Sequence, residues 1–549
     1  MALKPPSFLI LGVNDMKPGH IAVENSFIQF AEKFGSPRPL QRVLSLMRMH
    51  GQLKDIYTEE CTWGGEDCSE QFCGKKYNSC KKYIGALDDY GFRLVEKKCT
   101  KIFFLNMQRN GDPSEKIDGN ALIGFCIVHC DILHTVDGRD IRRSYLTETL
   151  MPTPHDNKYW ITLNNYKTEI LVDGRTIFLN GDYFSQQNGY TNCCAHAAIK
   201  MTTKGLACNV YAEDINEKLG IDHKSQKGND GLNPDQICTA IESICDGIST
   251  TIIDLNGLKN RLEFLRVLYH TIESRLPVIL LFKHPGHEGH AIAIIGHTFN
   301  AHSWWPYSLK FYFADENTTD IDYLPSVLWC DNFVVQDDNW GPYYLINSDF
   351  FRGVSIQQKA KEDNNGKYLP NDGMDTNFGE TEMMAVLIYP KEKSFVIDGF
   401  NIEPNAVSSL YRVVDGLQDI IETTDINFKR FFYNAYQNKH LIIRTFICEK
   451  NIYLDSLKNI ITDSDVKKDI ENYLPETFWI SEISIPELFW ANQHKVGEII
   501  IDPLKFQQNN EAGTILIRLP FVACLIAEDN VYCAQYEQSY PHHPLIAVP

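Results

Sequence analysis

The chain has 549 residues, of which 44% are hydrophobic and 22% charged, and its 52 basic and 71 acidic residues leave a formal net charge of −19. This length exceeds what one hydrophobic core organises, so we expect two or three domains with ample apolar material to bury. The negative charge repels phosphate backbones and anionic lipid, and no basic patch offsets it. We therefore expect a protein that binds neither nucleic acid nor membranes.

Residues 1–155 are predicted to form an N-terminal α+β domain of unknown role, because helical patterns and short strand-like runs are mixed there. The apolar run at residues 8–13 (FLILGV) is too short for a membrane span. It also lacks the basic flank and cleavage site of a signal peptide, so it indicates a buried strand. The two prolines of residues 151–156 (MPTPHD) indicate a linker at the end of this domain.

Sixteen cysteines are dispersed along the chain, and no export signal precedes them. This pattern predicts reduced thiols and a cytoplasmic location. The segment 61–80 is the densest in cysteine, but it lacks the Cys-x-x-Cys knuckle that is typical of compact zinc sites. Ordinary thiols are therefore favoured over structural zinc for Cys61, Cys68, Cys73, Cys80 and Cys99.

Residues 156–390 are predicted to form a central α+β domain in which helices come first and strands later, rather than in alternating βαβ units. It should begin with a hairpin over residues 170–179 that turns at Asp173-Gly174. The capping and proline signals predict three helices, which start near Cys193, run from Pro234 to about residue 245 after Asn233 as N-cap, and cover residues 258–275. Strands are predicted at residues 278–282, 290–295, 309–314 and 333–336.

Residues 391–549 are predicted to form a C-terminal α+β domain of unknown role. Helical patterns cover residues 405–423 and 456–473, and strand-like runs follow at residues 498–501 and 514–527. The aromatic run at residues 479–490 suits a packing or partner-binding segment. Both flanking domains are candidates for binding a protein partner or for assembling an oligomer.

The most informative segment is residues 186–198 (QQNGYTNCCAHAA), in which a polar, glycine-containing loop runs into small helix-forming residues. This pattern puts Cys193 at a helix N-terminus, where unpaired amides and the helix dipole favour the thiolate. Gln187, six residues earlier, can donate a side-chain N–H to an oxyanion beside the backbone N–H of Cys193. Taken alone, the segment fits equally well with two small apolar residues that enter a buried helix.

Two further segments supply a base and its orienting acid. His290 opens an apolar strand, and a base at the start of a rigid strand keeps its geometry. Asp337 and Asp338 end another strand, where a carboxylate can accept one imidazole N–H and leave the other nitrogen for a thiol. Metal ligation by His290 with His284 and His287 matches no zinc pattern, so no metal and no organic cofactor are expected.

The order Gln, Cys, His, Asp resembles that of the papain-like cysteine peptidase superfamily, and more closely its compact bacterial branches. Residues 187–195 are similar to that superfamily's pattern of Gln, five residues, Cys, any residue, Ala, and residues 338–341 (DNWG) fall where the family has Asn-Ser-Trp-Gly. The resemblance implies a cysteine peptidase that hydrolyses a peptide or isopeptide bond of a protein or peptide substrate through a covalent acyl-enzyme, without a cofactor. It also implies four roles: Gln187 in the oxyanion hole, Cys193 as nucleophile, His290 as acid and base, and Asp338 as the orienting group.

The sequence departs from the family pattern at the nucleophile, because Cys194 follows Cys193 where tryptophan is usual. The register of bacteriocin-leader-cleaving peptidase domains (Cys, Gly, Pro, Ala, Ala) would make Cys194 the nucleophile, with Ala197 and Ala198 matching. The spacing from Gln187 fits only Cys193, which is therefore preferred.

Two further alternatives stay open. Asp337 can replace Asp338 as the orienting group, since the two are adjacent. The same triad also serves acyltransferases, transglutaminases and amidases, and an inactive papain-like binding or scaffold protein would keep the same fold.

Overall fold

The structure of the chain is a computed structural model. It describes residues 19–22, 27–35, 37–61, 79–108, 119–153, 160–162, 166–172, 175–221, 231–257, 261–299, 323–352, 380–393, 399–417, 427–457, 464–508, 513–520, 522–527, 530–535 and 543–546. The strands predicted at residues 8–13 and 309–314 lie outside these residues. Elements are numbered below in chain order.

The chain divides into two compact units. The first contains Met1–His155 and Tyr166–Gln186, and the second contains Asp156–Asn165 and Gln187–Pro549. The three predicted domains (residues 1–155, 156–390 and 391–549) differ from this division in two respects. The predicted hairpin belongs to the first unit, and the chain is not divided after residue 390.

The first unit is built on one antiparallel sheet with the order β1-β2-β3-β4-β5-β8-β7. The hairpin prediction is confirmed by β7 and β8, although the predicted turn residues lie outside the described chain. Because β8 also pairs with β5, the hairpin extends the N-terminal sheet. The elements of the first unit are β1 (Gly19–Ala22), α1 (Phe27–Lys33), α2 (Arg38–Met49), β2 (Asp55–Cys61), α3 (Ser79–Asp89), β3 (Phe92–Leu105), a 3-10 turn (Gly119–Ala121), β4 (Leu122–Thr135), β5 (Asp140–Met151), β7 (Tyr166–Val172) and β8 (Arg175–Phe184).

The central sheet of the second unit has the order β14-β13-β11-β10-β15-β9, all antiparallel, and β6 pairs with the end of β11. Its strands are β6 (Trp160–Thr162), β9 (Ile248–Asp254), β10 (Val278–Lys283), β11 (His290–Thr298), β13 (Asn332–Asp337), β14 (Gly341–Asn347) and β15 (Glu382–Pro390). The accompanying helices are α4 (Cys194–Thr203), α5 (Ala212–Leu219), α6 (Pro234–Ile244), α7 (Arg261–Glu273) and α8 (Ser348–Arg352), with 3-10 turns at Lys204–Leu206 and Leu255–Gly257.

Most predicted elements of this region are confirmed, and α6 shows why. Asn233 accepts the backbone N–H of Gln236 at 2.8 Å, and the Gln236 side chain returns a bond to the backbone N–H of Asn233, a complete capping box. Helices α4 and α6 bury a common hydrophobic cluster against the sheet, which includes Ile241 of α6 and Ala291 of β11. The α+β class predicted for the chain is confirmed, since helices accompany largely antiparallel sheets.

A third sheet, with the order β12-β16-β17-β19-β20-β21-β22, occupies the C-terminal part of the same unit. Its strands are β12 (Leu324–Pro325), β16 (Ile442–Glu449), β17 (Thr477–Ser484), β19 (Gly497–Ile501), β20 (Thr514–Leu519), β21 (Val522–Ala527) and β22 (Asn530–Gln535), while β18 (His494–Lys495) pairs separately with β23 (His543–Pro544). The helices here are α9 (Gly399–Gly416), α10 (Asn427–Gln437), α11 (Lys450–Ser456), α12 (Ser464–Tyr473), α13 (Pro486–Asn492) and α14 (Pro503–Gln508), with a 3-10 turn at Ser326–Trp329.

Two long patterns of this region are each divided in the structure. The run predicted as one strand at residues 514–527 forms the hairpin β20–β21, and the aromatic run at residues 479–490 is shared between β17 and α13. None of the helices in the described part of the chain combines the length and the apolar character needed to cross a membrane.

A buried ion network explains why residue 390 is not a boundary. Arg444 of β16 donates to Glu273 of α7 at 2.5 Å and to Glu482 of β17 at 2.7 Å. Glu273 also bonds to His297 of β11 at 2.8 Å. The side chains of these four residues are at most 7% exposed. The C-terminal sheet is therefore joined to α7 and β11 through charges that have no access to water.

Four cysteines correct the expectation of reduced thiols. Cys208 is bonded to Cys245, and Cys524 is bonded to Cys533, which lies directly opposite it on the β21–β22 hairpin. The first pair is 37 residues apart in sequence and is brought together by tertiary packing, whereas the second is 9 residues apart and is brought together by the strand pairing of one hairpin.

The predicted cytoplasmic location, and the prediction of ordinary thiols in the cysteine-dense segment, both stay untested. Among the cysteines whose side chains the structure describes, eight further ones are thiols. Cys68 and Cys73 of the cysteine-dense segment lie outside the described residues.

The buried network predicts a large loss of stability on removal of its cation. Arg444→Met would leave Glu273 and Glu482 without their shared partner in a buried site, and breaking a buried pair in this way costs about 3–5 kcal/mol. Lys393 pairs with the half-exposed Glu449 at 3.3 Å, so Lys393→Met should cost only about 0–1 kcal/mol. Urea unfolding followed by tryptophan fluorescence measures both variants. Equal losses would contradict a structural role for the network.

Candidate active site

Helix α4 begins where the sequence predicts it, and Cys193 is its N-cap. The backbone of Cys193 is extended, with φ −99° and ψ 179°. Its sulfur accepts the backbone N–H of His196, and the imidazole of His196 accepts the backbone N–H of Cys193 at 3.3 Å. This is a capping box in which a thiol replaces the usual hydroxyl or carboxylate, so the sulfur of Cys193 already has a structural role.

The loop before α4 is tied by Asn188. Its side-chain oxygen accepts the backbone N–H groups of Tyr190, Thr191 and Asn192 at 2.9, 2.9 and 3.0 Å. Gly189 lies in the left-handed region with φ 76°, which glycine adopts without a Cβ penalty. Gln187, the predicted oxyanion donor, is half-buried just before this turn.

A second imidazole, which the sequence analysis did not identify, contacts the predicted nucleophile. His196 Nδ1 lies 2.9 Å from the Cys193 sulfur, and His196 Nε2 lies 2.8 Å from Asn216 Oδ1. Asn216 Nδ2 in turn donates to the carbonyl of Thr191 at 2.9 Å. The i+3 position of His196 on an N-capped helix could have indicated the first contact. No local signal indicates Asn216, which lies on α5.

The contacts among Cys193, Cys194, His196 and Asn216 shift the pKa values of Cys193 and His196. A hydrogen bond from Cys194, and then the charge and hydrogen bonds of His196, lower the pKa of Cys193 well below its usual value, although burial opposes the shift. Burial works to lower the pKa of His196, but the Cys193 thiolate and the bond to Asn216 outweigh it and raise that pKa. The two shifts therefore favour a thiolate at Cys193 and a proton on His196. In that state Nδ1 donates to the sulfur, whereas the bond that Nδ1 accepts from the backbone N–H of Cys193 belongs to the neutral imidazole.

Cys194 has different surroundings. It is the first residue of α4, it is half-buried, and its thiol contacts both the Cys193 sulfur and the backbone N–H of Ala291. The hydrogen bond to Cys193, burial, and the charges of Cys193 and Asp338 raise its pKa. The shift favours the protonated form of Cys194, whose thiol lies against the strand that carries His290.

His290 is oriented by the strand β13. Its Nε2 lies 3.2 Å from Asp337 Oδ1, 3.3 Å from Asn339 Nδ2 and 3.6 Å from Asp338 Oδ1. The hydrogen bond is thus made to Asp337, the alternative, and not to Asp338. Asp337 is the last residue of β13, beside β11, whereas Asp338 already belongs to the following turn. Burial lowers the pKa of His290, but the bond to Asp337 and the charges of both aspartates outweigh it and raise that pKa.

Asp338 is the least satisfied group of the site. Its side chain is 0% exposed, and neither carboxylate oxygen has a hydrogen-bond partner among the described residues. Burial raises the pKa of Asp338 to about 7, the charges of Asp337 and Cys193 add to the shift, and the charge of His290 opposes it. Buried polar atoms normally have partners, so this carboxylate requires an explanation.

The structure brings some of the predicted site residues together, but the expected contact between His290 and a cysteine sulfur is not made. His290 and both aspartates are adjacent, and the cysteine pair reaches Ala291, the residue after His290. Within the described chain, however, His290 makes no hydrogen bond to either sulfur. His290, Asp337 and Asp338 also form a group of metal-type ligands whose donor atoms lie within 4.8 Å of one another. His284 and His287 are not part of that group.

The link between α4 and α5 predicts a measurable stability effect. Asn216→Ala would leave His196 Nε2 buried without a partner, at about 1–3 kcal/mol, and would also remove the donor to the half-buried Thr191 carbonyl. Glu217, the exposed neighbour on α5, offers a control, and Glu217→Ala should change stability by less than about 0.5 kcal/mol. Urea unfolding compares the two variants. If Asn216→Ala costs no more than the control, the network does not support the helix start.

The chain was compared with known proteins in three ways. No protein-family model matches it, and no curated protein or solved structure shows significant similarity to it. The similarity to papain-like peptidases is therefore one of motifs, and the functional argument rests on the contacts described above.

Proposed function

We propose that the chain is a cysteine peptidase of the papain-like type, which hydrolyses a peptide or isopeptide bond through a covalent acyl-enzyme. One observation carries the proposal. The helix start that bears two cysteines packs against β11, and the first residue of that strand is a histidine held by a buried aspartate. A nucleophile, a base and an orienting acid on rigid elements form the arrangement that this chemistry requires.

The tautomer of His290 supports its role. Because Nε2 is bonded to Asp337, the other ring nitrogen, Nδ1, is left for the thiol. In the proposed reaction Nδ1 takes the thiol proton, and the sulfur attacks the carbonyl carbon to form a tetrahedral oxyanion. The oxyanion collapses with cleavage of the C–N bond, and the leaving amine takes the proton from His290. Water, deprotonated by His290, then attacks the thioester, which releases the acid and restores the thiol.

The missing bond between His290 and a sulfur is compatible with this mechanism. Catalytic hydrogen bonds are often long in a substrate-free protein and tighten only when the substrate is bound. The backbone N–H groups at the start of α4 and the side chain of Gln187 are the donors proposed for the oxyanion.

Charge and position favour different sulfurs as the nucleophile. The lowered pKa favours Cys193, as the spacing from Gln187 also does, whereas exposure and the contact with Ala291 favour Cys194. We give position more weight and propose Cys194. A nucleophile must reach both a substrate and its base, and the Cys193 sulfur is buried and engaged as the helix N-cap.

Amine and water compete for the same thioester, so acyltransferase, transglutaminase and amidase activities are alternatives on the same residues. A product that carries an added primary amine would identify a transferase. An inactive scaffold with this fold would show no activated thiol.

Serine substitutions distinguish the two sulfurs, because serine keeps a good N-cap at residue 193. Under iodoacetamide at neutral pH, we expect the adduct on Cys194 in the parent protein and in Cys193→Ser. We expect no fast adduct in Cys194→Ser, and hydrolysis of a proteome-derived peptide mixture should fall there by about 10³-fold or more. Cys238, a half-buried thiol, is the internal reference for mass spectrometry. A fast adduct on Cys193 would reverse the assignment, and labelling of both at or below the rate of Cys238 would contradict an enzyme.

The aspartates should differ in effect. Asp337→Asn weakens the one carboxylate hydrogen bond that His290 makes within the described residues, and it should slow hydrolysis by about 10²–10⁴-fold, the usual contribution of general acid–base catalysis. Asp338→Asn should cost less, and Asp349→Asn on α8 is the remote control. Initial rates measured in the presence of a chelator compare the three variants. A larger loss in Asp338→Asn would identify Asp338 as the orienting group.

A further inference from the structure

The unpartnered carboxylate of Asp338 is the starting point. Its two oxygens are buried and aimed at a site where the nearest ring nitrogen, His290 Nε2, lies 3.6 Å from Oδ1. That distance is too long for a hydrogen bond, but it is short enough for the two groups to interact electrostatically. Protonated His290 is one cation that this carboxylate can face, and a metal ion that takes the same ring nitrogen is another.

The distances within the group suit a cation. His290 Nε2 lies 3.2 Å from Asp337 Oδ1 and 3.6 Å from Asp338 Oδ1, and the three donor atoms lie within 4.8 Å of one another. With metal–ligand bonds of about 2.1 Å, adjacent ligands are about 3.0 Å apart in an octahedral site and about 3.4 Å apart in a tetrahedral one. Small shifts of the side chains would bring all three atoms to a single ion.

The chemistry of the donors indicates the class of ion. One neutral imidazole and two carboxylates carry two negative charges, which a divalent cation would neutralise. Oxygen and nitrogen donors of this kind suit Mn²⁺, and an imidazole with carboxylates also suits Zn²⁺ and Fe²⁺. Asp337 Oδ1 additionally accepts the backbone N–H groups of Asn339 and Trp340 at 2.8 and 3.3 Å, as outer-shell donors commonly orient a ligating carboxylate.

We propose that His290, Asp337 and Asp338 bind a divalent first-row metal ion, and that the bound ion switches the thiol site off. The ion would take Nε2 of His290, which moves the ring proton to Nδ1. Nδ1 could then no longer accept a proton from a cysteine. Metal binding and acyl transfer are therefore alternative uses of the same imidazole. The inhibitory consequence rests on the proposed function, whereas the metal site itself does not.

Mn²⁺ is the probe of choice, because it prefers oxygen and nitrogen to the many thiols of this chain. The full-length protein, stripped with a chelator and dialysed, would be titrated with Mn²⁺ while electron paramagnetic resonance measures the unbound ion. We expect one site per chain that is lost or weakened more than about 10-fold in Asp338→Asn and in His290→Gln, since even outer-shell partners change metal affinity by about 10–100-fold. Asp349→Asn is the matched control and should bind as the parent protein does.

Several outcomes would overturn the metal site: no site in the parent protein, or the same affinity in Asp338→Asn as in the control. In that case Asp338 is buried as the protonated acid. Thermal unfolding checks that each variant is folded.

A second measurement separates this inference from the proposed function. Peptide hydrolysis by the metal-free protein should fall as the Mn²⁺ site fills, and EDTA should restore it. Activity that is unchanged at full Mn²⁺ occupancy would contradict the inhibitory role and leave the peptidase proposal standing. Absence of hydrolysis from the metal-free protein would instead contradict the peptidase, while the Mn²⁺ titration would still decide the metal site.

Discussion

The buried guanidinium of Arg444 is the constraint on which the second unit depends. It bonds to Glu273 of α7 and to Glu482 of β17, and Glu273 also bonds to His297 of β11. The partners are 171 and 38 residues away from Arg444 in the chain. Charges buried to this degree are tolerated only when each has a partner, so α7, β11 and the C-terminal sheet must fold together. The strand β11 is thereby anchored near its end, while its first residue, His290, faces the candidate active site.

Three acidic groups, Cys193, Cys194 and Asp338, influence one another's pKa at the candidate active site. The pKa of Cys193 is lowered and that of Cys194 is raised, and the carboxylate of Asp338 has no hydrogen-bond partner among the described residues. Buried polar atoms of proteins normally have hydrogen-bond partners, and places where a chain breaks this rule are often functional. The conflict can be relieved by a proton, by a substrate that takes up the sulfur, or by a cation. The peptidase and metal proposals differ only in which of these acts.

The division of roles within the cysteine pair follows from helix geometry. The residue before a helix turns its side chain back to the first amides, so the sulfur of Cys193 is drawn into capping and into contact with His196. The next residue begins the helix and lies on a different side of it, where Cys194 meets β11. Cys208 and Cys245, which lie in the same hydrophobic cluster, are joined as a disulfide while the adjacent pair remains thiol.

Local signals in the sequence determined the elements of the second unit. The small residues after Cys193 predict α4, Asn233-Pro234 predict the start of α6, and the apolar run after His290 predicts β11, because caps and short-range periodicity act within a few residues. Contacts between distant segments were decided only by the tertiary structure. Four features depend on which surfaces meet: the bond between His196 and Asn216, the choice of Asp337 over Asp338, the Cys208–Cys245 disulfide, and the place of the β7–β8 hairpin in the N-terminal sheet. Side-chain spacing carries no signal for such pairings, since a strand or helix of given periodicity can pack against many partners.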